Sequence, residues 1–285
     1  MLTLRKHSYL FFIKSSFFYL IVTFFLVLKP VCFGQTTINE SKGIIYFYNP
    51  ESNIDNYAAL KTKFDKYLKK IGPYQFQPFN ERTTFENMTR GRHNCVFILS
   101  SWYFKELKNS FSIQPILIGT LDGNSNQKKV LIAKNNISSL TMLKGCSIAS
   151  SGSKEYTIKF LQSMLKEKNK EIAETLQILN VPKDIDALIS VGFGLVQAAL
   201  TTQCSIEMMA DINNTLYKNL SILAMDENSL LPVVATPSAH DREATELLDI
   251  ITNMDKTPDG KSNLQMLGVD GWKELDESDW DLLRK

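Results

Sequence analysis

Residues 95–107 read CVFILSSWYFKEL. Five apolar residues, too short a run for a helix and free of Gly or Pro, describe a buried strand. The serine pair that follows offers side-chain oxygens to the free N–H groups of a helix start. Trp102, Tyr103 and Leu107 then carry the apolar face of that helix. Strand, paired hydroxyls, helix: the same order recurs twice downstream. CSIAS (146–150) runs into Ser151-Gly152-Ser153 and a helix through Ile158, Phe160, Leu161 and Leu165. LVQAAL (195–200) closes on Thr201-Thr202 before a helix through Ile206, Met208 and Met209.

The segments around these units keep the alternation. GIIYFY (43–48) is a strand closed by Asn49-Pro50. Residues 58–71 form a helix stopped by Gly72-Pro73, and YQFQPF (74–79) is a second strand. IQPILIG (113–119) and VLIAK (130–134) are strands joined by the polar turn DGNSNQKK (122–129). Asp184 to Val191 makes a short helix. LSILAM (220–225) and LLPVVAT (230–236) are strands, and helices through 247–251 and 264–267 end the chain. This spacing predicts an α/β protein of parallel sheets covered by helices. Trp272 and Trp280 fall in the final helical region and read as structural, and the Lys-rich stretch 166–170 as a solvated face.

Composition bounds the function. The 285 residues are 44% hydrophobic and 22% charged, enough apolar material for one large domain or two lobes. Lys and Arg number 32 against 30 Asp and Glu. Four of the bases (Arg5, Lys6, Lys14 and Lys29) lie in residues 1–34, which hold no acid, so the remainder is slightly acidic. No nucleic-acid partner is expected from that balance. The leader itself joins its basic start to the uncharged run Ser15–Leu28, Pro30 and the small exit residues Cys32 and Gly34. Residues 1–34 therefore read as a signal peptide for export, cut after Gly34, with an uncleaved anchor as the alternative. The run is shorter than the ~20 residues of a comfortable membrane span.

Catalytic signatures are missing. Cys95, Cys146 and Cys204 form no CxxC, the histidines are scattered, and no HExxH, GxSxG or P-loop occurs. No metal, no cofactor and no enzymatic activity are expected. The recurrent hydroxyl pairs point elsewhere. In open α/β sheets ligands bind beyond the carboxyl ends of strands. Helix N-termini there present N–H groups and partial positive charge to anions. Each pair on its own also reads as a simple helix cap.

The chain resembles the periplasmic phosphate/phosphonate-binding proteins of ABC transporters, within the type II substrate-binding fold. The residues that carry the likeness span about 43–285: Tyr48-Asn49-Pro50, the step from Gly91 into VFILSSWYF, and Leu143-Lys144-Gly145 before CSIAS. They continue through the SSGS turn (150–153), VGFGLVQAALTT, Leu267-Gly268-Val269 and Asp279-Trp280. The resemblance implies a two-lobed periplasmic-binding-protein fold with the ligand cleft between the lobes. Lobe one would be 40–122 plus 230–285, and lobe two 123–229. It implies ligand contacts from Tyr48, Ser100, Ser101, Ser151, Ser153, Thr201 and Thr202. It further implies a small anionic ligand, a membrane ABC permease as partner, a monomer, and a periplasmic or exported location. Where the family places an acid after Gly91 this chain has Arg92-His93-Asn94, and near the later strand start it has Gln197. Acids that would hold an aminoalkyl group are thus not evident. These departures disfavour an aminoalkyl phosphonate and leave phosphate, phosphite, a simple phosphonate or another small oxyanion as the expected ligand. The alternative function is an exported sensory or accessory protein that docks with a membrane partner.

Overall fold

The computed structural model describes residues 42–52 and 54–284. The leader 1–34 lies outside the described residues. In chain order the first strands are β1 (Gly43–Tyr48), β2 (Tyr74–Pro78), β3 (Cys95–Leu99), β4 (Ile113–Thr120) and β5 (Asn126–Lys134). The later ones are β6 (Ser147–Ser150), β7 (Gln177–Asn180), β8 (Ala198–Thr202), β9 (Leu220–Leu230), β10 (Val233–Pro237) and β11 (Gly271–Glu274). The helices of the first half are α1 (Tyr57–Leu68), α2 (Arg82–Thr89), α3 (Ser101–Phe111) and α4 (Lys154–Thr175). They continue with α5 (Asp184–Gly192), α6 (Gln203–Ile212) and α7 (Asn214–Lys218), then α8 (Arg242–Thr252), α9 (Pro258–Met266) and α10 (Glu277–Arg284).

The strands form two sheets. One has six strands in the order β11-β4-β10-β3-β1-β2, the other five in the order β7-β6-β8-β5-β9. Both are mixed, which corrects the expectation of parallel sheets. Strands β2, β1 and β3 run parallel, whereas β10 is antiparallel to β3 and β4, and β11 to β4. In the second sheet β7, β6 and β8 are parallel while β5 is antiparallel to β8 and β9. Strands β5 and β10, which run against the parallel strands of their sheets, are the ones the chain enters directly from the other sheet, and β11 keeps the direction of β10. No helical crossover intervenes at these two passages between sheets to restore direction.

Those passages are short and lie side by side. Leu121–Ser125 separates β4 from β5, and Leu231-Pro232 separates β9 from β10. Leu231 N donates to Ser125 O (2.8 Å), joining the two connecting segments, and Gly119 N of β4 donates to Pro232 O (2.8 Å) beside them. The turn is shorter than the polar run 122–129 suggested: Asn126–Lys129 belong to β5. Trp272 sits on β11 and not in a helix, while Trp280 is helical, in α10.

The two sheets pack differently. The six-stranded sheet buries an aromatic cluster in which Tyr48, Phe85, Phe97, Trp102 and Tyr103 are almost fully enclosed. On its other face Phe64 of α1 stacks on Phe76 of β2 with centroids 4.0 Å apart. The five-stranded sheet is covered by aliphatic residues such as Leu131, Ile148, Leu161, Leu188 and Leu200. Burying each such side chain fully contributes about 1.5–3 kcal/mol. Rigid, two-torsion aromatic rings therefore back one wall of the space between the sheets.

Candidate functional site

Tyr48 ends β1, and Asn49-Pro50 breaks the strand. The Asn49 side chain accepts a hydrogen bond from Glu51 N (3.0 Å), a local turn that fixes where Glu51 starts. Ser100 follows β3 as the N-cap of α3, and Ser153 follows β6 as the N-cap of α4, its Oγ accepting from Tyr156 N (3.1 Å). Between Ser151 and Ser153 the chain needs glycine for space, since a Cβ at Gly152 would meet the Tyr156 ring at 2.5 Å. That ring is not free to yield: it stacks on Trp102 of α3 (4.9 Å, 27°), joining the first turns of α3 and α4.

A cavity of about 570 Å³ opens where these turns meet, with Tyr48, Arg82, Trp102, Ser151, Ser153 and Asn180 in its wall. The Tyr48 ring is held by Phe85 (5.6 Å, stacked) and Tyr103 (4.8 Å, edge-on), and burial pushes its phenol well above the usual range. It stays neutral. Ser151 Oγ donates to Asp184 Oδ1, and Ser153 Oγ to Glu106 Oε1. Glu106 also accepts from Arg82 Nη1 (2.9 Å), whose Nε reaches Glu86 (2.7 Å). Ser100 Oγ and Trp102 Nε1, both buried in the first turn of α3, have no hydrogen-bond partner among the described residues. Leaving a buried donor unpaired costs about 1–3 kcal/mol, so a group that accepts from them has a ready gain.

The sequence-derived candidates divide accordingly. Tyr48, Ser151 and Ser153 line the cavity together. Ser100 lies in the same turn as Trp102, with its hydroxyl unused. Ser101 is buried and its hydroxyl donates to Leu230 O (2.8 Å), leaving its backbone for other work. Thr201 and Thr202 do not line this cavity: Thr201 Oγ1 donates to Asp184 O (3.2 Å), and Thr202 caps α6 by accepting from Ser205 N (3.3 Å).

Behind Ser151 lies a feature that the sequence reading missed. Lys129 of β5 is 3% exposed and its Nζ stands 2.7 Å from Glu51 Oε1 and 3.2 Å from Asp184 Oδ2. Gln127 Nε2 donates to the other Glu51 oxygen (2.6 Å), and Ser151 to the other Asp184 oxygen. Burial works against the charge on Lys129, but Asp184 and Glu51 outweigh it and hold the ammonium protonated. Burial pushes the Glu51 carboxyl up from its usual range against the opposing pull of Lys129. The three residues come from the turn after β1, from β5 and from α5, and Asp184 N donates to Pro50 O (3.1 Å) across the same gap. Two buried acids thus stand one hydrogen bond behind the Ser151 wall of the cavity, and they come from the turn after β1 and from α5 and not from 92–94 or 197. Alternation was the available signal: Asn126 and Lys128 are exposed where Lys129 is buried.

The family model for the periplasmic substrate-binding protein of ABC phosphonate transporters matches residues 43–280. The chain belongs to that family. Among solved structures, this phosphonate-type binding protein is similar to a binding-protein component of an ABC phosphonate transporter from Pseudomonas aeruginosa. That pair shows 14% identity and a TM-score of 0.68, over 85% of this chain and 83% of the other. It is also similar to PhnD1 of Prochlorococcus marinus, solved with methylphosphonate (15% identity, TM-score 0.65, 86% of this chain and 96% of the other). A Xanthomonas citri protein bound to chloride gives 13% identity and a TM-score of 0.66, over 85% and 94% of the two chains. No curated protein matches the chain in sequence. The fold of this family member is the type II periplasmic-binding fold, and its place is in ABC-type solute uptake.

Proposed function

We propose that this family member binds a small oxyanion (phosphate, phosphite or a simple alkylphosphonate) in the cavity where α3 and α4 begin, and delivers it to an ABC permease. The observation that carries the reading is that Ser151 and Ser153, at the opening of α4, already give their hydroxyl protons to oxyanions, the carboxylates of Asp184 and Glu106. A ligand oxyanion would take the place of those carboxylates, with Ser100 Oγ and the α3 backbone N–H groups completing the donor set. Tyr48 and Trp102 would form the apolar wall against an alkyl group.

In this reading the residues 40–122 plus 230–285 and the residues 123–229 move as two lobes. The paired connections at 121–125 and 231–232 act as the hinge. Residues 1–34 direct export, supported by their basic start, apolar run and small exit residues.

Calorimetry with the chain from Gln35 onward, titrated with methylphosphonate, phosphate and phosphite, tests this. At least one is expected to bind. Ser100→Ala and Ser151→Ala are each expected to weaken it about tenfold or more, since a hydrogen bond to a charged group is worth about 1.5–3 kcal/mol. Unchanged affinity in both variants would leave these serines as helix caps.

A further inference from the structure

Two carboxylates converging on one nitrogen make a receptor for an ammonium group. Here Glu51 Oε1 and Asp184 Oδ2 stand 2.7 and 3.2 Å from Nζ of Lys129, and all three side chains are at most 3% exposed. Each carboxylate spends its remaining oxygen on a neutral donor, Gln127 for Glu51 and, until a ligand takes its hydroxyl, Ser151 for Asp184. The receptor is therefore complete, and the cation in it belongs to the protein. It also adjoins the oxyanion site. Ser151, in the cavity wall, is one hydrogen bond from Asp184. A ligand with an oxyanion at one end and an ammonium a few bonds away would place its nitrogen toward the point that Lys129 Nζ occupies.

We propose that Lys129 is a specificity-determining residue: a tethered ammonium that fills the Glu51–Asp184 receptor and thereby excludes oxyanions bearing an aminoalkyl arm. The proposal deepens the oxyanion reading above and rests on it for the ligand. A neutral alkyl arm makes no demand on the receptor. A cationic arm has to displace Lys129, leaving a second ammonium buried without a partner, or stay outside.

The substitution Lys129→Ala deletes three methylenes and the ammonium, which together amount to n-propylammonium. Thermal unfolding of Lys129→Ala is expected to shift upward with millimolar n-propylammonium chloride and not with equal sodium chloride, while the wild type responds alike to both salts. If the variant folds only when the amine is present, the same result is obtained in stronger form. Equal response to both salts, or no folding with either, overturns the proposal. Calorimetry supplies the second arm. The wild type is expected to bind methylphosphonate at least about tenfold more tightly than aminoethylphosphonate, with the order reversed in Lys129→Ala. Equal wild-type affinity for the two phosphonates also overturns the proposal. If neither phosphonate binds the wild type, the oxyanion reading fails, and the amine rescue still decides the role of Lys129.

Discussion

Two of the carboxylate–cation networks among the described residues differ in where they lie. Between the sheets, Lys129 is shared by Glu51 and Asp184 with every member almost fully enclosed. At the margin of the six-stranded sheet, Glu246 of α8 accepts from Lys42, from Arg242 Nε (2.8 Å) and from Tyr74 OH (2.5 Å), with Lys42 about one-third exposed and Arg242 largely so. Formal chemistry is alike in the two places, so solvent decides the difference. Around Glu246, water already solvates each charge and screens the attraction, and such pairs contribute little. Around Lys129, no water competes, so the charges must satisfy one another and the geometry is enforced. Removing one member there strands the others. The exposed network is a fastening at one edge; the enclosed one fixes what the adjoining cavity can hold.

The sharpest break is Lys129→Met, which keeps most of the volume and removes the charge. Two buried carboxylates are left facing each other, and breaking a buried pair in this way costs about 3–5 kcal/mol. A fall of that size in unfolding free energy, read from urea titrations at neutral pH, is the expected outcome. A loss no larger than that of a surface pair would mean that water enters the cluster. Glu51→Gln is expected to cost less. Its burial already favours the protonated carboxyl, and Lys129 and Asp184 remain as a neutral pair. The pH dependence follows from the direction of that shift. A carboxyl whose folded-state pKa is raised contributes stability below its ordinary range and loses it as pH rises through the folded value. The penalty for Glu51→Gln should therefore shrink as the pH is raised above about 4.5, the usual Glu value. A penalty that grows over that interval would show that attraction to Lys129 outweighs burial.

The contrast also explains what could be read from the residues alone. CVFILSSWYFKEL and CSIASSGS announce their structure because strand, cap and helix are set by neighbours a few positions apart. Trp102 and Tyr103 are legible in the first of these units as the apolar face of its helix. The enclosed network did not, since Glu51, Lys129 and Asp184 are brought together only by the tertiary fold; Lys129 and Asp184 are 55 positions apart. In isolation Gln127-Lys128-Lys129 reads as a polar turn, Glu51 as the residue after a strand-ending proline, and Asp184 as an ordinary acid in a first helical turn. The strands β7 and β11 escaped for another reason: each is four residues long, and neither is followed by the hydroxyls and helix start that mark the equally short β6. Strand direction escaped because two short passages between sheets, rather than helical crossovers, set it.

The smallest expected effect belongs to the exposed network, and it has a defined pH window. Hydrogen bonds from Lys42, Tyr74 and Arg242 hold the Glu246 carboxyl well below its ordinary value, at about 2. A carboxyl lowered in the folded state contributes its stability above its unfolded value and loses it as the pH falls through the folded one. For Glu246 the interval runs from about 4.5 down to about 2. Wild type and Glu246→Gln should thus differ slightly at neutral pH, with the wild type the more stable. The two should converge as the pH is lowered across that interval. One molar salt shortens the screening length to about 3 Å, and the difference at neutral pH should then shrink further. Lys129→Met should keep most of its penalty in the same salt, because ions do not reach between buried groups. Urea midpoints of the two variants, measured at low and high salt, place the networks on one scale. Equal salt sensitivity in both would remove solvent exposure as the reason they differ.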